Sequence, residues 1–297
     1  MSSDFRIIAH RGASAHAPEN TIASFETAVD LGAEEVELDV RLSADGQIVA
    51  FHDDRLDRKT TLEGRVRHYD AHVLEQTDLA PWFARRPRSE MERSLDVAST
   101  IDPSRPSEGE TCIPRLETVF DRLGDRVRYH VEIKGWDDLL PLEILRAVDA
   151  HGLRDRVTLT SFSKRPLVEI RKLDPDLPIT FLLRDAADAL RSSEFRPALE
   201  GRSLEEVHAF WIDEAKQAGF QWVGIRAADL SSEIVDYAGS CGLAIRCWGI
   251  RTREDLVRSV ELGAIGATVD WPGRARELVR ERDGAASRSQ ASSVGTR

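Results

Sequence analysis

FRIIAHRGASAHAPENTIASFETAVDLGAEEVELDVRLSADGQIVAFHDD, residues 5–54, decides how the chain is read. Phe5-Arg6-Ile7-Ile8-Ala9 is a short apolar run with the character of a buried strand, and it delivers His10-Arg11-Gly12. Pro18-Glu19-Asn20-Thr21 breaks the run. Ala23, Phe25, Ala28, Val29 and Leu31 then recur at helical spacing, and Gly32 ends the pattern. Glu34 to Leu42 reads as a second strand, and Ala44-Asp45-Gly46 as a hairpin turn into a strand at 47–51. The order is β-α-β-β. Every strand ends on chemistry: His10, then Glu37 and Asp39, then His52-Asp53.

Working outward, strand and helix patterns keep alternating. Helices are expected at 115–123, 137–151, 164–173, 186–218, 231–240, 253–262 and 274–282, with strands at 127–133, 157–160, 178–183, 222–225, 243–248 and 265–269. The major strands number eight, centred near 7, 38, 130, 158, 180, 223, 245 and 267. Strands that alternate with helices form parallel sheets, and eight such units predict a closed TIM (β/α)8 barrel in the α/β class; a doubly wound open sheet is the competing architecture. The barrel domain spans 5–282. Residues 53–112 interrupt the rhythm between the second and third barrel strands, as an insertion or lid without the apolar residues for a core of its own. Its charged, Pro/Ser-rich part runs from 85 to 110. The Ser/Gly/Arg-rich tail, 283–297, reads as disordered.

A barrel places its functional residues at the carboxyl ends of its strands. His10, Glu37, Asp39, His52, Glu132, Lys134, Ser161, Trp248 and Asp270 all sit there. Glu37 and Asp39 are two apart on a strand and share a face, as do Glu132 and Lys134. Carboxylates converging on one barrel mouth repel one another unless a cation sits among them. An all-oxygen set of Glu37, Asp39 and Glu132 suits a hard ion, Mg²⁺ or Ca²⁺, with Mn²⁺ a further candidate. The competing reading is a structural ion network in which Glu37 or Glu132 pairs with Arg11 or Lys134. His10 and His52 shift the balance, because imidazoles take and give protons near neutrality. Flanking a metal, they suit in-line displacement at phosphorus. Arg11 and Lys134 would then hold the phosphate oxygens.

Other polar residues carry less. His130 shares the inward face with Glu132 but lies deeper, where an interior structural role is expected. His68 and His72 have i,i+4 spacing without Cys or Glu partners. Ser161 lacks a Gly-x-Ser-x-Gly context and is expected to shape the pocket. Trp248 either walls the substrate site or plugs the barrel top.

Composition excludes several classes. The net charge is −11 and no basic stripe stands out, which argues against nucleic acid as a partner. A small anionic substrate remains compatible, since local charge can oppose the global sign. No apolar run approaches the roughly 18 to 20 residues of a membrane span. Cys112, Cys241 and Cys247 form no CxxC pair, and their odd number argues against a disulfide framework. No signal peptide is evident, and a cytoplasmic location is expected.

The run from His10 to Thr61, with IPRLETVF at 113–120 and VEIKG at 131–135, resembles the signature of the glycerophosphodiester phosphodiesterase family. The likeness continues more weakly through Ser161-Phe162, Cys247-Trp248 and Asp270-Trp271-Pro272. The resemblance implies a metal-dependent phosphodiesterase on a TIM barrel, with an insertion where 53–112 lies. It implies His10 and His52 as the acid–base pair, Glu37, Asp39 and Glu132 as metal ligands, and Arg11 and Lys134 on the phosphate. The implied reaction cleaves a glycerophosphodiester such as glycerophosphocholine or glycerophosphoethanolamine to glycerol 3-phosphate and an alcohol. A lysophospholipase D-like or sphingomyelinase D-like activity is the alternative, for which Trp82-Phe83 is the one hint of an apolar groove. A phosphate-ligand binding protein without turnover is a third reading. Where the family commonly shows Trp-Thr-Val-Asn, this chain has Trp248-Gly249-Ile250-Arg251, and the added guanidinium either meets an anionic head group or faces solvent.

Overall fold

The computed structural model describes residues 5–94, 109–135, 137–185 and 200–294, with side chains described as far as 284. Its parallel strands are β1 (Arg6–His10), β2 (Glu35–Leu42), β4 (Arg128–Ile133), β5 (Val157–Ser161), β6 (Ile179–Leu182), β7 (Trp222–Arg226), β8 (Ala244–Trp248) and β9 (Gly266–Val269). They run β1-β9-β8-β7-β6-β5-β4-β2 around a ring that closes by pairing β1 with β2. The expected eight-stranded barrel is present.

The remaining strand, β3 (Ile48–Ala50), is antiparallel and pairs with residues 40–42 of β2. On that edge of β2, β1 pairs with residues 35–37, so β3 takes over where β1 stops. His52 follows two residues later and is thereby delivered to the same rim as His10.

Alternation along the strands assigns the faces. Val36, Leu38 and Val40 of β2, and Tyr129, Val131 and Ile133 of β4, are buried in the apolar layer between barrel and helices. Burial of each such Val, Leu or Ile contributes on the order of 2 kcal/mol. The opposite faces carry Glu35, Glu37, Asp39, His130 and Glu132, joined inside by Thr158, Thr160, Thr180, Arg246 and Thr268, all buried. A barrel interior is ordinarily filled by branched apolar side chains. This one carries many polar side chains alongside Ile8 and Leu182, and a buried polar group without a partner is costly there.

Helix boundaries follow local capping. The helix Ile22–Asp30 starts on Thr21, whose hydroxyl accepts from the Ser24 amide at 3.2 Å while Ser24 Oγ accepts from the Thr21 amide at 3.3 Å. Ser24 Oγ also donates to the Arg11 carbonyl at 2.8 Å, tying this helix start to the loop after β1.

Two expectations change. The last helix runs Pro272–Val294, so the tail from 283 continues as helix as far as Val294. Its Ser-rich composition lacks proline and interleaves Ala, Arg and Gln, which can propagate a helix already nucleated by packing. The insertion, in turn, does have an apolar cluster: Leu56, Val66, Ala71, Leu74 and Leu79 pack with Val49, Phe51 and Ile113. That small core borrows its floor from β3, which is why the segment alone reads as deficient. The charged, Pro/Ser-rich stretch at 85–110 falls largely on 95–108, and part of the helix expected at 186–218 on 186–199; both 95–108 and 186–199 lie outside the described residues.

Candidate active site

Register brings the catalytic candidates together. His10 is the Cα partner of Glu37 across β1–β2, and Asp39 is the partner of Glu132 across β2–β4. Glu37, Asp39 and Glu132 each offer an oxygen within 4.8 Å of the others, and all three are buried. Glu37 and Glu132 line a cavity of about 410 Å³ at the carboxyl end of the barrel, with His10, His52, Arg11, Lys134 and Trp248 around it, and Asp39 is buried behind them.

Each histidine is held by a carboxylate. His10 Nδ1 lies 2.6 Å from Asp270 Oδ1, which also accepts from Ser14 Oγ at 2.8 Å. His52 Nδ1 lies 2.7 Å from Asp53 Oδ1. With Nδ1 engaged in both rings, Nε2 is the atom available to a bound substrate. Asp53 is fixed in turn by Arg58 at 2.9 Å and by Lys59 at 3.3 Å. Lys59 is itself buried and bridges to Glu19 at 2.6 Å. The His52 carbonyl accepts from Arg41 Nε and Nη2 at 3.0 and 2.7 Å, which fixes the backbone below the ring.

The two imidazoles are driven apart electrostatically. Burial and the Arg11 charge push His10 down, but Asp270, through charge and hydrogen bond, and Glu37 outweigh them and raise it above its ordinary value. Burial dominates at His52, and Arg11 and Lys134 add to it. The Asp53 hydrogen bond and the Asp39 charge do not recover the loss, so His52 sits lower. Two titratable groups whose surroundings separate their pKa values are suited to opposite roles in proton transfer.

The carboxylates differ as well. Burial and the Asp39 charge push Glu37 up to about 7 against the opposing pull of His10 and Arg11. Asp39 is held far below the carboxylate range, because Lys134, Arg11 and His52 together overcome its burial. Arg11 Nε is 3.0 Å from Asp39 and its Nη1 donates to Glu19 at 2.9 Å. Lys134 pairs with Glu132 and lies 3.2 Å from Asp39. The ion network weighed as the competing reading is thus present at Glu132, and it extends to Asp39, which that reading did not include. It leaves Glu37 apart: Oε2 accepts from the Arg11 amide at 3.0 Å, while the buried Oε1 has no hydrogen-bond partner. An orphan carboxylate oxygen aimed among two other carboxylates fits a hard divalent cation.

Backbone strain supports this arrangement. Arg11 has φ 56° and Asn20 has φ 58°, both in the left-handed region. Asn20 clamps Asp39 from both sides: Nδ2 donates to Oδ2 at 2.8 Å and Oδ1 accepts from the Asp39 amide at 3.1 Å. Gly12, at φ 80°, passes so close to the helix start that an added Cβ would meet Ser24 atoms at 2.5–2.7 Å.

Other expected residues fall as follows. Trp248 lines the cavity, packed edge-on against Phe162 with ring centroids 5.3 Å apart, and its Nε1 donates to the Gly224 carbonyl at 3.2 Å. Ser161 is not part of the wall. Its hydroxyl donates to the Ile133 carbonyl at 3.0 Å and accepts from the Ser163 amide at 3.1 Å, while the next residue, Phe162, faces the cavity. His130 is buried on Glu35, 2.7 Å away, deep in the barrel. His68 and His72 belong to no group of three possible ligands; among the described residues Glu37, Asp39 and Glu132 form the one such group. Phe83 is buried beneath the Arg86 guanidinium, and Trp82 has Lys59 Nζ over its ring at 5.3 Å.

Arg246 escaped the reading of the sequence. It is buried between Thr268 and Thr160, at 2.7 and 3.1 Å, with a face on the cavity beneath the carboxylates. The signal was available: a charged residue between Ile245 and Cys247, on the same face as Trp248.

Known proteins resemble this chain over most of its length. The family model of the glycerophosphoryl diester phosphodiesterase family matches residues 10–274. A glycerophosphodiester phosphodiesterase of Bacillus subtilis (strain 168) is 28% identical over 273 residues, covering 89% of this chain and 83% of that protein. A crystal structure from Silicibacter pomeroyi DSS-3 superposes with a TM-score of 0.76 at 24% identity and covers 95% of each chain. A phosphodiesterase from Oleispira antarctica, solved with its product sn-glycerol-3-phosphate, superposes with a TM-score of 0.68 at 22% identity, covering 93% of this chain and 96% of that one. The chain belongs to the glycerophosphoryl diester phosphodiesterase family and is a hydrolase of that class.

Proposed function

We propose that the chain hydrolyses glycerophosphodiesters such as glycerophosphocholine and glycerophosphoethanolamine to glycerol 3-phosphate and the free alcohol, in a metal-dependent reaction with His52 as first base and His10 as first acid. The observation that carries this reading is the pair of carboxylate-anchored histidines facing one cavity over three buried carboxylates. Glu37, Asp39 and Glu132 would hold one divalent cation, Mg²⁺ or Ca²⁺ being the best matches to an all-oxygen set. When bound, such an ion neutralises charge on the phosphoryl oxygens.

The protein's own groups account for the rest. Arg11 and Lys134 stand at the cavity with their carboxylate partners and orient the diester. His52 Nε2 takes the proton of the glycerol 2-hydroxyl as that oxygen bonds to phosphorus. The bond from phosphorus to the alcohol oxygen breaks, and His10 Nε2 supplies the proton to the departing oxygen. A cyclic phosphate remains. With the roles reversed, His10 accepts a proton from water, water opens the ring, and His52 returns its proton to the 2-oxygen, giving glycerol 3-phosphate. A protein that only binds phosphate does not need two anchored proton carriers.

The three cysteines are free, which suits the reducing cytoplasm. No helix among the described residues is long and apolar enough to cross a membrane.

Phosphorus NMR of glycerophosphocholine turnover tests the bond cleaved. Glycerol 3-phosphate with free choline is expected. Phosphocholine with free glycerol would refute the assignment.

A further inference from the structure

Arg251 follows β8, whose place in the ring is directly opposite β4, the strand that carries Glu132 and Lys134. Its side chain lines the far side of the catalytic cavity. The loop that presents it is pinned: the Arg251 and Thr252 amides both donate to Asp255 Oδ2 at 2.9 Å, and Ile250 beside it is buried. Arg251 is exposed, and among the described residues no carboxylate forms an ion pair with it. Arg11 and Lys134, by contrast, are already engaged by carboxylates.

We propose that Arg251 determines specificity for the alcohol half of the substrate, selecting glycerophosphodiesters whose alcohol carries an anionic group. The inference rests on the glycerophosphodiesterase reading above. With phosphate held near β2 and β4, the alcohol extends across the mouth toward β8, and the first charge it meets there is an unneutralised cation.

The chemistry of the wall makes a diester with a cationic head group, as in glycerophosphocholine, a slower substrate than one with an anionic group, not an excluded one. The cavity's acidic side chains are Glu37, Glu132 and Asp270. The first two belong to the carboxylate cluster, and Asp270 is held by His10 and Ser14. Among the described residues none remains to receive an ammonium. An aromatic face is the other means of holding a quaternary ammonium. Phe162 already has Lys134 Nζ over its ring at 5.6 Å and meets Trp248 edge-on. A guanidinium across the mouth repels a choline and offers a two-pronged donor to a carboxylate or a second phosphate.

Four esters of glycerol 3-phosphate, carried through kcat/KM at low ionic strength, test this: 3-hydroxypropionate, 3-hydroxypropyl phosphate, 1-propanol and choline. Wild type is expected to prefer at least one anionic ester over the propyl ester by about two- to fivefold, the scale for an exposed charge pair. The larger gain identifies carboxylate or phosphate as the favoured anion. Arg251→Gln should bring the anionic-to-propyl ratio close to one, and Arg251→Glu should turn the preference toward choline. Added salt should narrow the wild-type preference. Unchanged melting temperatures show that the variants are folded. A wild-type preference for choline, or a ratio insensitive to Arg251→Gln, overturns the inference while leaving the glycerophosphodiesterase reading intact. A wild type that cleaves none of the four overturns both.

Discussion

His10 Nδ1 and Asp270 Oδ1 meet at 2.6 Å across 260 positions of sequence. The contact exists because β1 and β9 are neighbours in the ring, with Ala9 opposite Val269, so barrel closure itself builds the dyad. The second dyad needs no tertiary fold, since His52 and Asp53 are adjacent. One proton carrier therefore depends on the last barrel strand, and the other on a local turn.

Asp270→Asn should lower activity on the order of tenfold or more at neutral pH. The sign of its pH effect is fixed. Asp270 raises the His10 pKa, and His10 must be protonated to act as the first acid, so the rate falls as pH rises through that value. Removing the carboxylate should move the alkaline limb of the kcat/KM profile to lower pH. A variant whose alkaline limb stays in place, at any activity, would show that His10 is not the acid.

Metal affinity should itself depend on pH. In the ion-free chain Glu37 is pushed up to about 7, and a carboxylate must be deprotonated to bind a cation. The apparent Kd for Mg²⁺ or Ca²⁺ should therefore rise as pH falls from 8 to 6, with proton release measurable by calorimetry in buffers of different ionisation enthalpy. Glu37→Gln should weaken binding at every pH and flatten this dependence.

Asn20→Ala should be destabilising by about 2 kcal/mol, since it strands the Asp39 amide inside the barrel and leaves Asp39 Oδ2 to Arg11 alone. Denaturant unfolding checks the value. A loss no greater than a few tenths would mean that water replaces the clamp.

Gly12→Ala combines a left-handed backbone with a Cβ inside contact distance of the Ser24 backbone. A cost of about 1–3 kcal/mol is expected from the strain alone. The Arg11 amide, which donates to Glu37, would shift with it. Lower stability and weaker metal binding should appear together in one variant. A variant with normal thermal stability would show that the loop has room.

The barrel and most of its mouth were legible because strands have a period of two and deliver residues to known ends. Glu37 and Asp39 could be placed on one face from spacing alone, and the barrel reading brought Glu132 to them. Partnerships formed by closure were not legible: nothing in the local sequence ties Asp270 to His10, or Lys59 to Glu19. Ser161 was expected on the cavity wall because it ends a strand, yet its hydroxyl serves the turn and Phe162 takes the wall. The insertion's core was hidden because its floor is Phe51 and Val49, residues that belong to the β3 hairpin. Arg246 was visible as a charge within a strand, but its role needs the neighbouring Thr160 and Thr268 to be seen.

The most direct test of the account is release of glycerol 3-phosphate from glycerophosphocholine by wild type and His52→Ala, each with Mg²⁺, Ca²⁺, Mn²⁺ or EDTA. Metal-dependent release by wild type, abolished by EDTA and reduced at least a hundredfold in the variant, is the predicted result. Release that persists in EDTA, or a folded His52→Ala protein with wild-type turnover, would contradict it.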